Sequence, residues 1–420
     1  MPRSNRPALV VAAVSAFALL AAASAVTNPL RAAETTPRPA APAPGATAQA
    51  TRPAAPAANP REESGKHPDG TLAFRVRLNA AGQRHGDFTA YFPGGKKVQE
   101  KSRYDAGKLH GLRATFDETG KPLTDETWYE GRLVFPKSTK LIEATRAQIL
   151  KDTADYLKAH PPALPKGGPS LQSYGEALVR LRTYRYLCDI AWDVGYDDNY
   201  IDLCQHGAEL MAMLNELTHT PKKTDGVSDE FYAKAKQGCG SSNIFTSSNI
   251  VASVDAYMDD SDRSNIDRLG HRRWILNPRM ANTGFGAGPG KFSAMYSFDS
   301  KRENTPDYDY VAFPPRGYFP ANMFRASQAW HISVNPKHHT VSTGAKMTIY
   351  AVDQKLKRSA EPLELNYQNV NLDPFGISNA IIARPKTLPL RPGAMFEVVV
   401  SGLTPRGDQP KEISYFVAFY

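Results

Sequence analysis

The chain has 420 residues, of which 22% are charged and 41% hydrophobic, with a formal net charge of +9. That length exceeds one ordinary globular unit and points to two or three domains, at least one with a sizeable core. The charge is a mild bias toward acidic surfaces, and the lack of a Lys/Arg run, a helix-turn-helix pattern or basic-aromatic interleaving argues against nucleic acid as a partner.

Arg3 and Arg6 lead into an apolar run from Ala8 to Ala23 and the small-residue pattern Ala23-Ser24-Ala25. This is the layout of a cleavable export signal. The run is alanine-rich, weakly apolar for a single-pass anchor and followed by no second span, so residues 1–33 are expected to be a signal peptide cut after Ala25 or Ala33. A secreted, periplasmic or cell-envelope protein follows, and the absence of a cysteine near the cut argues against a lipoprotein. Residues 34–67 are dominated by Pro, Ala and Thr, as in Pro37-Arg38-Pro39-Ala40-Ala41-Pro42, and read as an extended, disordered linker.

Residues 68–135 carry an internal repeat. His85-Gly86 returns as His110-Gly111, Tyr91 as Phe116, Gly95-Lys96 as Gly120-Lys121 and Tyr104-Asp105 as Tyr129-Glu130, each shifted by 25 residues. Glycines and aromatics returning at one spacing predict stacked β-hairpins with glycine in the turns, a pattern similar to MORN-type repeats and suited to a protein partner. The two His-Gly pairs are read as structural. Residues 136–168 form a connector, with a helix over Thr139 to His160 carrying Leu141, Ala144, Ile149 and Tyr156 and stopped by Pro161-Pro162.

In residues 169–328, Tyr174, Leu178, Leu181 and Cys188 form one apolar helical stripe and Ile201, Cys204, Ala208 and Met211 another. His206, inside the second helix, reads as a surface or packing residue, whereas His219 falls past the last turn, two residues before Pro221. A third helix is expected over Asn249 to Met258, capped by Ser248 and ending in Asp259-Asp260-Ser261-Asp262. Ser264-Asn265-Ile266-Asp267 then caps a short helix that delivers His271, which Gly270 and Arg272-Arg273 flank ahead of the helix-breaking Asn277-Pro278. Thr283 to Gly288 and Phe292 to Phe298 read as strands. Residues 329–420 hold short β-rich runs such as Met347 to Val352 and Phe396 to Val400, the signature of a small immunoglobulin-like sandwich, with His338-His339 in a loop. Cys188, Cys204 and Cys239 fit either one bridge or three buried thiols, and spacing chooses no pair.

Taken in order, Tyr184-Arg185, Trp192-Asp193, the His206 to His219 segment, Ser242-Asn243-Ile244, Tyr257 to Asp260 and Gly270-His271-Arg272 resemble the CAP superfamily in its bacterial form. That superfamily comprises the cysteine-rich secretory, antigen 5 and pathogenesis-related 1 proteins. The resemblance covers about residues 170 to 300, and a Pro-rich stretch, Phe313 to Gly317, resembles a segment that follows some of these domains. It implies an α+β chain, a three-layer α-β-α sandwich, here with an N-terminal β-hairpin repeat module and a C-terminal all-β sandwich. It also implies a cleft lined by two histidines and two acids. His219 and His271 stand at the histidine positions and Asp260 at the second acid, while Ser242 stands where the first acid would be.

Two imidazoles and a carboxylate suit Zn²⁺ or metal-free acid-base work. No Gly-x-Ser-x-Gly elbow, His-Glu-x-x-His helix or ordered Cys-His pair supplies a nucleophile, and Ser242, in a Ser-Ser-Asn cluster, reads more as a turn or cap residue than as one. The stronger expectation is therefore a binding cleft for a lipid, peptide or cell-wall fragment. In it the histidines, Asp260 and Asn243 orient the ligand, and Arg272 or Arg273 meets an anionic group. A metal-dependent hydrolase or protease and a structural or adaptor envelope protein are the alternatives.

Overall fold

The computed structural model describes residues 61–420. The expected signal peptide and the linker up to residue 60 lie outside the described residues. Residues 61–66, also assigned to the linker, are a strand instead: β1 (Arg61–Lys66) pairs antiparallel with β2 (Leu72–Leu78), so its backbone groups are satisfied by a neighbour. With β3 (Arg84–Tyr91), β4 (Val98–Asp105), β5 (Lys108–Phe116), β6 (Pro122–Tyr129) and β7 (Arg132–Phe135) they make one seven-stranded meander in sequence order.

Of the repeat glycines, Gly95 (φ 67) and Gly120 (φ 86) sit as expected in the longer turns between β3 and β4 and between β5 and β6, whereas Gly86 and Gly111 do a different job. The tight turns are Ala106-Gly107 and Glu130-Gly131, all four at positive φ, as two-residue hairpins require. Gly86 (φ 85) and Gly111 (φ 109) sit inside β3 and β5, where the register to the preceding strand slips. They are bulge positions, which bend the sheet and which a side chain would strain. His85 pairs with Asp105 at 3.1 Å and the His110 ring packs 4.9 Å from Tyr129, both consistent with structural work.

Three helices follow the polar side chains that cap them. Ser138 accepts from Leu141 N to start α1 (Thr139–Ala159), Ser170 from Ser173 N to start α2 (Leu171–Leu187), and Asp197 from the Asn199 and Tyr200 amides to start α3 (Asp198–Leu214), which follows the short strand β8 (Gly195–Tyr196). Asn215, left-handed at φ 50, ends α3 and releases the segment bearing His219. A helix with no counterpart in the sequence reading comes next: α4 (Asp229–Gly240), capped by Ser228 with Asp229 and Glu230 in its first turn. β9 (Ser242–Phe245) leads to α5 (Ile250–Asp259), whose cap is Asn249 and not Ser248, since the Asn249 carboxamide accepts from the Val251 and Ala252 amides. After α6 (Gly270–Ile275), β10 (Asn282–Thr283) pairs with β8, while β11 (Phe285–Ala287) and β12 (Ser293–Tyr296) join β9 in a three-stranded sheet of order β11-β12-β9.

The two faces of that sheet feed different cores. Ile244, Phe292 and Ala294 pack with Cys204 and Met211 of α3 and Cys239 of α4, whereas Phe285 and Met295 join Tyr174 of α2 and Val254 and Tyr257 of α5. Gly286 lets α3 lie directly on β11: a Cβ there would stand 2.3 Å from the Cys204 carbonyl carbon and the Gln205 nitrogen. Because both atoms are backbone, neither can swing away. Gly286→Ala is expected to destabilise the protein by at least about 2 kcal/mol in urea denaturation, the scale of overpacking a filled core.

The C-terminal sandwich begins about twenty residues before the expected boundary at 329. β13 (Tyr310–Phe313), β15 (Trp330–Val334), β18 (Ala380–Pro385) and β17 (Leu365–Asn371) form one sheet in the order β13-β15-β18-β17. β14 (Gly317–Phe319), β20 (Ile413–Phe419), β19 (Met395–Pro405) and β16 (His339–Val352) form the other, in the order β14-β20-β19-β16. Residues 310–319 were assigned to the middle domain because their partners lie far along the chain: β13 pairs with β15 and β14 runs parallel to β20. Trp330, fully buried, bridges the sheets to Phe396 and Phe419 at 5.7 and 6.3 Å. His339 opens β16 as a buried residue rather than lying in a loop, and His338 is held between Asp307 and Asp309 at 3.1 and 2.9 Å.

Val134 and Phe135 of β7 pack on Phe416 and Ala418 of β20, so the repeat sheet, the helical part and the sandwich belong to one compact unit. All three cysteines are buried free thiols, and burial pushes Cys204 and Cys239 up to about 12 and Cys188 higher still, which keeps them protonated and unreactive. No helix among the described residues is long and apolar enough to cross a membrane.

Candidate functional site

His219 and His271 come within 6.4 Å, ring centre to ring centre, at an interplanar angle of 27°. Each imidazole is fixed from behind. The Nδ1 of His219 lies 2.8 Å from the carbonyl oxygen of Cys239, at the end of α4. A carbonyl only accepts, so Nδ1 carries the proton and Nε2 is left as an acceptor. Burial, aided by the nearby His271 and Arg268, holds the His219 pKa below 6.5, so this ring is neutral at pH 7.

The Nδ1 of His271 lies 2.7 Å from Asp260 Oδ1, whose side chain is 2% exposed. Asp260 reaches this place because it ends α5 in the left-handed conformation, φ 45, which aspartate tolerates. Its second oxygen accepts from the Arg272 amide at 3.3 Å, tying it to the first turns of α6. Leu269, at φ 48, precedes that helix without a side-chain cap, so the expected cap from Ser264 to Asp267 does not form and Asp262 instead binds Ser264 within its own turn. Asn243 completes the frame: its Nδ2 donates to the His271 carbonyl at 3.0 Å, and its own carbonyl accepts from Tyr257 at 3.0 Å.

A hollow of about 220 Å³ opens in front of the two rings. Ser242 and Asn243 line it together with His219, His271, Arg268 and three aromatic side chains, Trp274, Phe298 and Phe375. The Ser242 hydroxyl is buried 3.4 Å from Cys204 Sγ, which gives it a packing partner and no base.

Two sequence expectations need correction. Arg272 and Arg273 are both fully buried and present no free fork to a ligand. Arg272 donates to the carbonyls of Met258 and Ala329, each at 2.7 Å, and to that of Asp259. Arg273 donates to the carbonyls of Arg268, Asp373 and Ile377 and to Asn371 Oδ1. The guanidinium that does line the hollow is Arg268, with a side chain 38% exposed. Its position just before α6, in an irregular turn, carries no periodic signal.

The zinc reading also loses its third ligand. Asp260 binds the Nδ1 side of His271 and so lies behind the ring, where it orients the imidazole instead of sharing a metal with it. Among the described residues no group of three or more His, Cys, Asp or Glu is gathered to hold a metal ion. What remains is two imidazoles, one guanidinium and an aromatic wall: a set that binds polar groups and desolvates an apolar one. No family model matches the chain, and neither a curated protein nor a solved structure matches it either.

Proposed function

We propose that the chain is an exported, cell-envelope protein of the CAP type that holds an extracellular ligand, a lipid, peptide or cell-wall fragment, between His219 and His271 without turning it over. Six sequence blocks in family order support the assignment, as do helices on both faces of the β11-β12-β9 sheet. The observation that carries the binding reading is the pair of imidazoles 6.4 Å apart, each anchored through Nδ1, facing a hollow whose first acid position is the buried Ser242. Anchored rings bind with little entropy to lose, and without that carboxylate the cleft lacks one of its two acids.

The second reading is hydrolysis. It draws on the 2.7 Å Asp260–His271 pair, which orients an imidazole as a general base toward a water, as carboxylate–histidine pairs do. The third, an adaptor role, draws on the hollow of about 820 Å³ on the repeat sheet, edged by Arg75, Arg77, Lys101 and Arg103 with Glu62 and Asp87, as a seat for a protein partner.

Retention of a cell-envelope extract by the immobilised protein separates these readings. His219→Ala and His271→Ala are each expected to weaken retention about tenfold, the scale of one lost hydrogen bond in a desolvated site, with no tight zinc uptake by the unchanged protein. Tight zinc binding abolished by both changes would move the assignment to a hydrolase, and retention indifferent to both would leave the adaptor role.

A further inference from the structure

The hollow has a wall that none of the family-like blocks accounts for. Trp274 of α6 stacks on Phe298 at 4.2 Å, and Phe298 is 47% exposed, so the wall is open to a ligand. A third ring, Phe375, comes from the sandwich, in the segment between β17 and β18. This segment is clamped to the helical part. Arg273 donates to Asn371 Oδ1 at 2.7 Å and to the Ile377 carbonyl at 3.0 Å, and its guanidinium lies 5.2 Å over the Phe375 ring. Phe375 rests so closely on Gly270, next to His271, that a Cβ there would stand 3.2 Å from Cδ1 of the ring.

Beside this wall stands Arg268. Nη1 donates to the Ser264 carbonyl at 2.9 Å and to Asp267 Oδ1 at 3.2 Å, and Nη2 donates to Asn265 Oδ1 at 3.1 Å, which hold the guanidinium in place while its side chain remains 38% exposed. The hollow is small: about 220 Å³ falls below the ~300–1,000 Å³ of sites for drug-sized ligands, so a residue-sized group fits within it.

We infer that the cleft takes the C-terminal residue of a peptide, its apolar or aromatic side chain against Trp274, Phe298 and Phe375 and its carboxylate on Arg268. This deepens, and rests on, the reading of the hollow as a binding cleft. Three aromatic rings favour an apolar body. One guanidinium at the rim favours a carboxylate. His219, with its Nδ1 proton committed to Cys239, offers an Nε2 acceptor, which suits the N–H of a peptide's last residue and has no counterpart on a simple fatty acid. The ligand chemistry is therefore a compact apolar carboxylate with an adjacent amide.

Titration calorimetry on the full chain tests it with three probes: N-acetyl-Gly-Gly-Phe, the same peptide as its C-terminal amide, and 3-phenylpropionate, which keeps the ring and carboxylate but has no N–H. The acid peptide is expected to bind at least about tenfold more tightly than the amide, as loss of a charge-assisted hydrogen bond dictates. The phenylpropionate should fall between them. Arg268→Gln should remove the preference for acid over amide by lowering acid affinity far more than amide affinity, while Arg268→Lys should restore part of the preference. His219→Ala should lower the acid peptide to the level of phenylpropionate. Equal affinity for acid and amide in the unchanged protein, or a preference that survives Arg268→Gln, overturns the inference. If the acid peptide does not bind while envelope-extract retention still depends on His219 and His271, the ligand class is wrong and the cleft reading stands. If retention ignores both histidines, the cleft reading falls and this inference with it.

Discussion

Arg272→Met is expected to destabilise the protein by about 3–5 kcal/mol in urea denaturation. Its guanidinium is fully buried and donates to three backbone carbonyls, those of Met258, Asp259 and Ala329, while lying 4.8 Å over the Phe313 ring. These carbonyls belong to the end of α5 and the approach to β15, so one side chain satisfies the irregular backbone where the helical part meets the sandwich. Methionine fills much of the volume and donates nothing. Each buried carbonyl left without a donor costs about 1–3 kcal/mol, partly relieved by local relaxation. Burial pulls the Arg272 pKa down to about 10, because the charge loses hydration on leaving water, and its carbonyl acceptors offset that loss. A ligand-contacting arginine would behave in the opposite way, losing affinity with stability intact. Arg268→Met, at the cleft rim, is expected to change stability by under about 1 kcal/mol, as partly exposed ion-pairing side chains do.

Acid is expected to weaken the fold well above the carboxylate range, through His331. This residue of β15 is fully buried, and neither ring nitrogen has a hydrogen-bond partner among the described residues. Burial, with Arg272 and Arg273 nearby, holds its pKa well below the ordinary imidazole value of 6.5. The folded protein therefore keeps the ring neutral, while the unfolded chain takes up a proton as the pH drops through 6.5. The unfolded state binds the extra proton, so stability is full above that pH and declines below it, by about 1.4 kcal/mol per pH unit and about 2 kcal/mol between pH 6.5 and 5. His219, also lowered by burial, adds to the slope in the same direction. His331→Leu should flatten most of it and leave stability at pH 7.5 unchanged or raised, because two polar atoms leave an apolar site. Urea midpoints of both proteins between pH 7.5 and 5 check this: parallel curves would show that the ring is not the titrating group.

The parts of this molecule that were legible in its sequence are those that repeat or recur at a fixed period. Ile201, Cys204, Ala208 and Met211 announce α3 because four apolar residues at helical spacing leave few other solutions, and the 25-residue echo announces the meander. α4 went unseen because its buried face is Ala235, Gly238 and Cys239, residues too small to draw a stripe, although Ser228-Asp229-Glu230 is a serviceable start signal. The two histidines could be singled out by residue type and order. What holds them could not, since the Cys239 partner is a backbone carbonyl, which every residue possesses. That Arg272 turns inward needed the rotation of α6 about its axis: it follows His271 immediately and so faces away from it by about 100°, while Arg268, ahead of that helix, carried no signal. The sandwich boundary was hidden for a related reason. Tyr310 to Phe313 is an unremarkable apolar run until Trp330 to Val334 lies beside it.

The clamp that brings Phe375 to the cleft makes occupancy and cohesion two sides of one equilibrium. A guest bound as proposed between the ring of the β17–β18 segment and the imidazole of α6 would touch both halves of the molecule and stabilise them against separating. The coupling is reciprocal. Damage as remote as the Trp330 core would then surface as weakened capture at a site it never touches, and a saturating guest would protect strands far from it against unfolding.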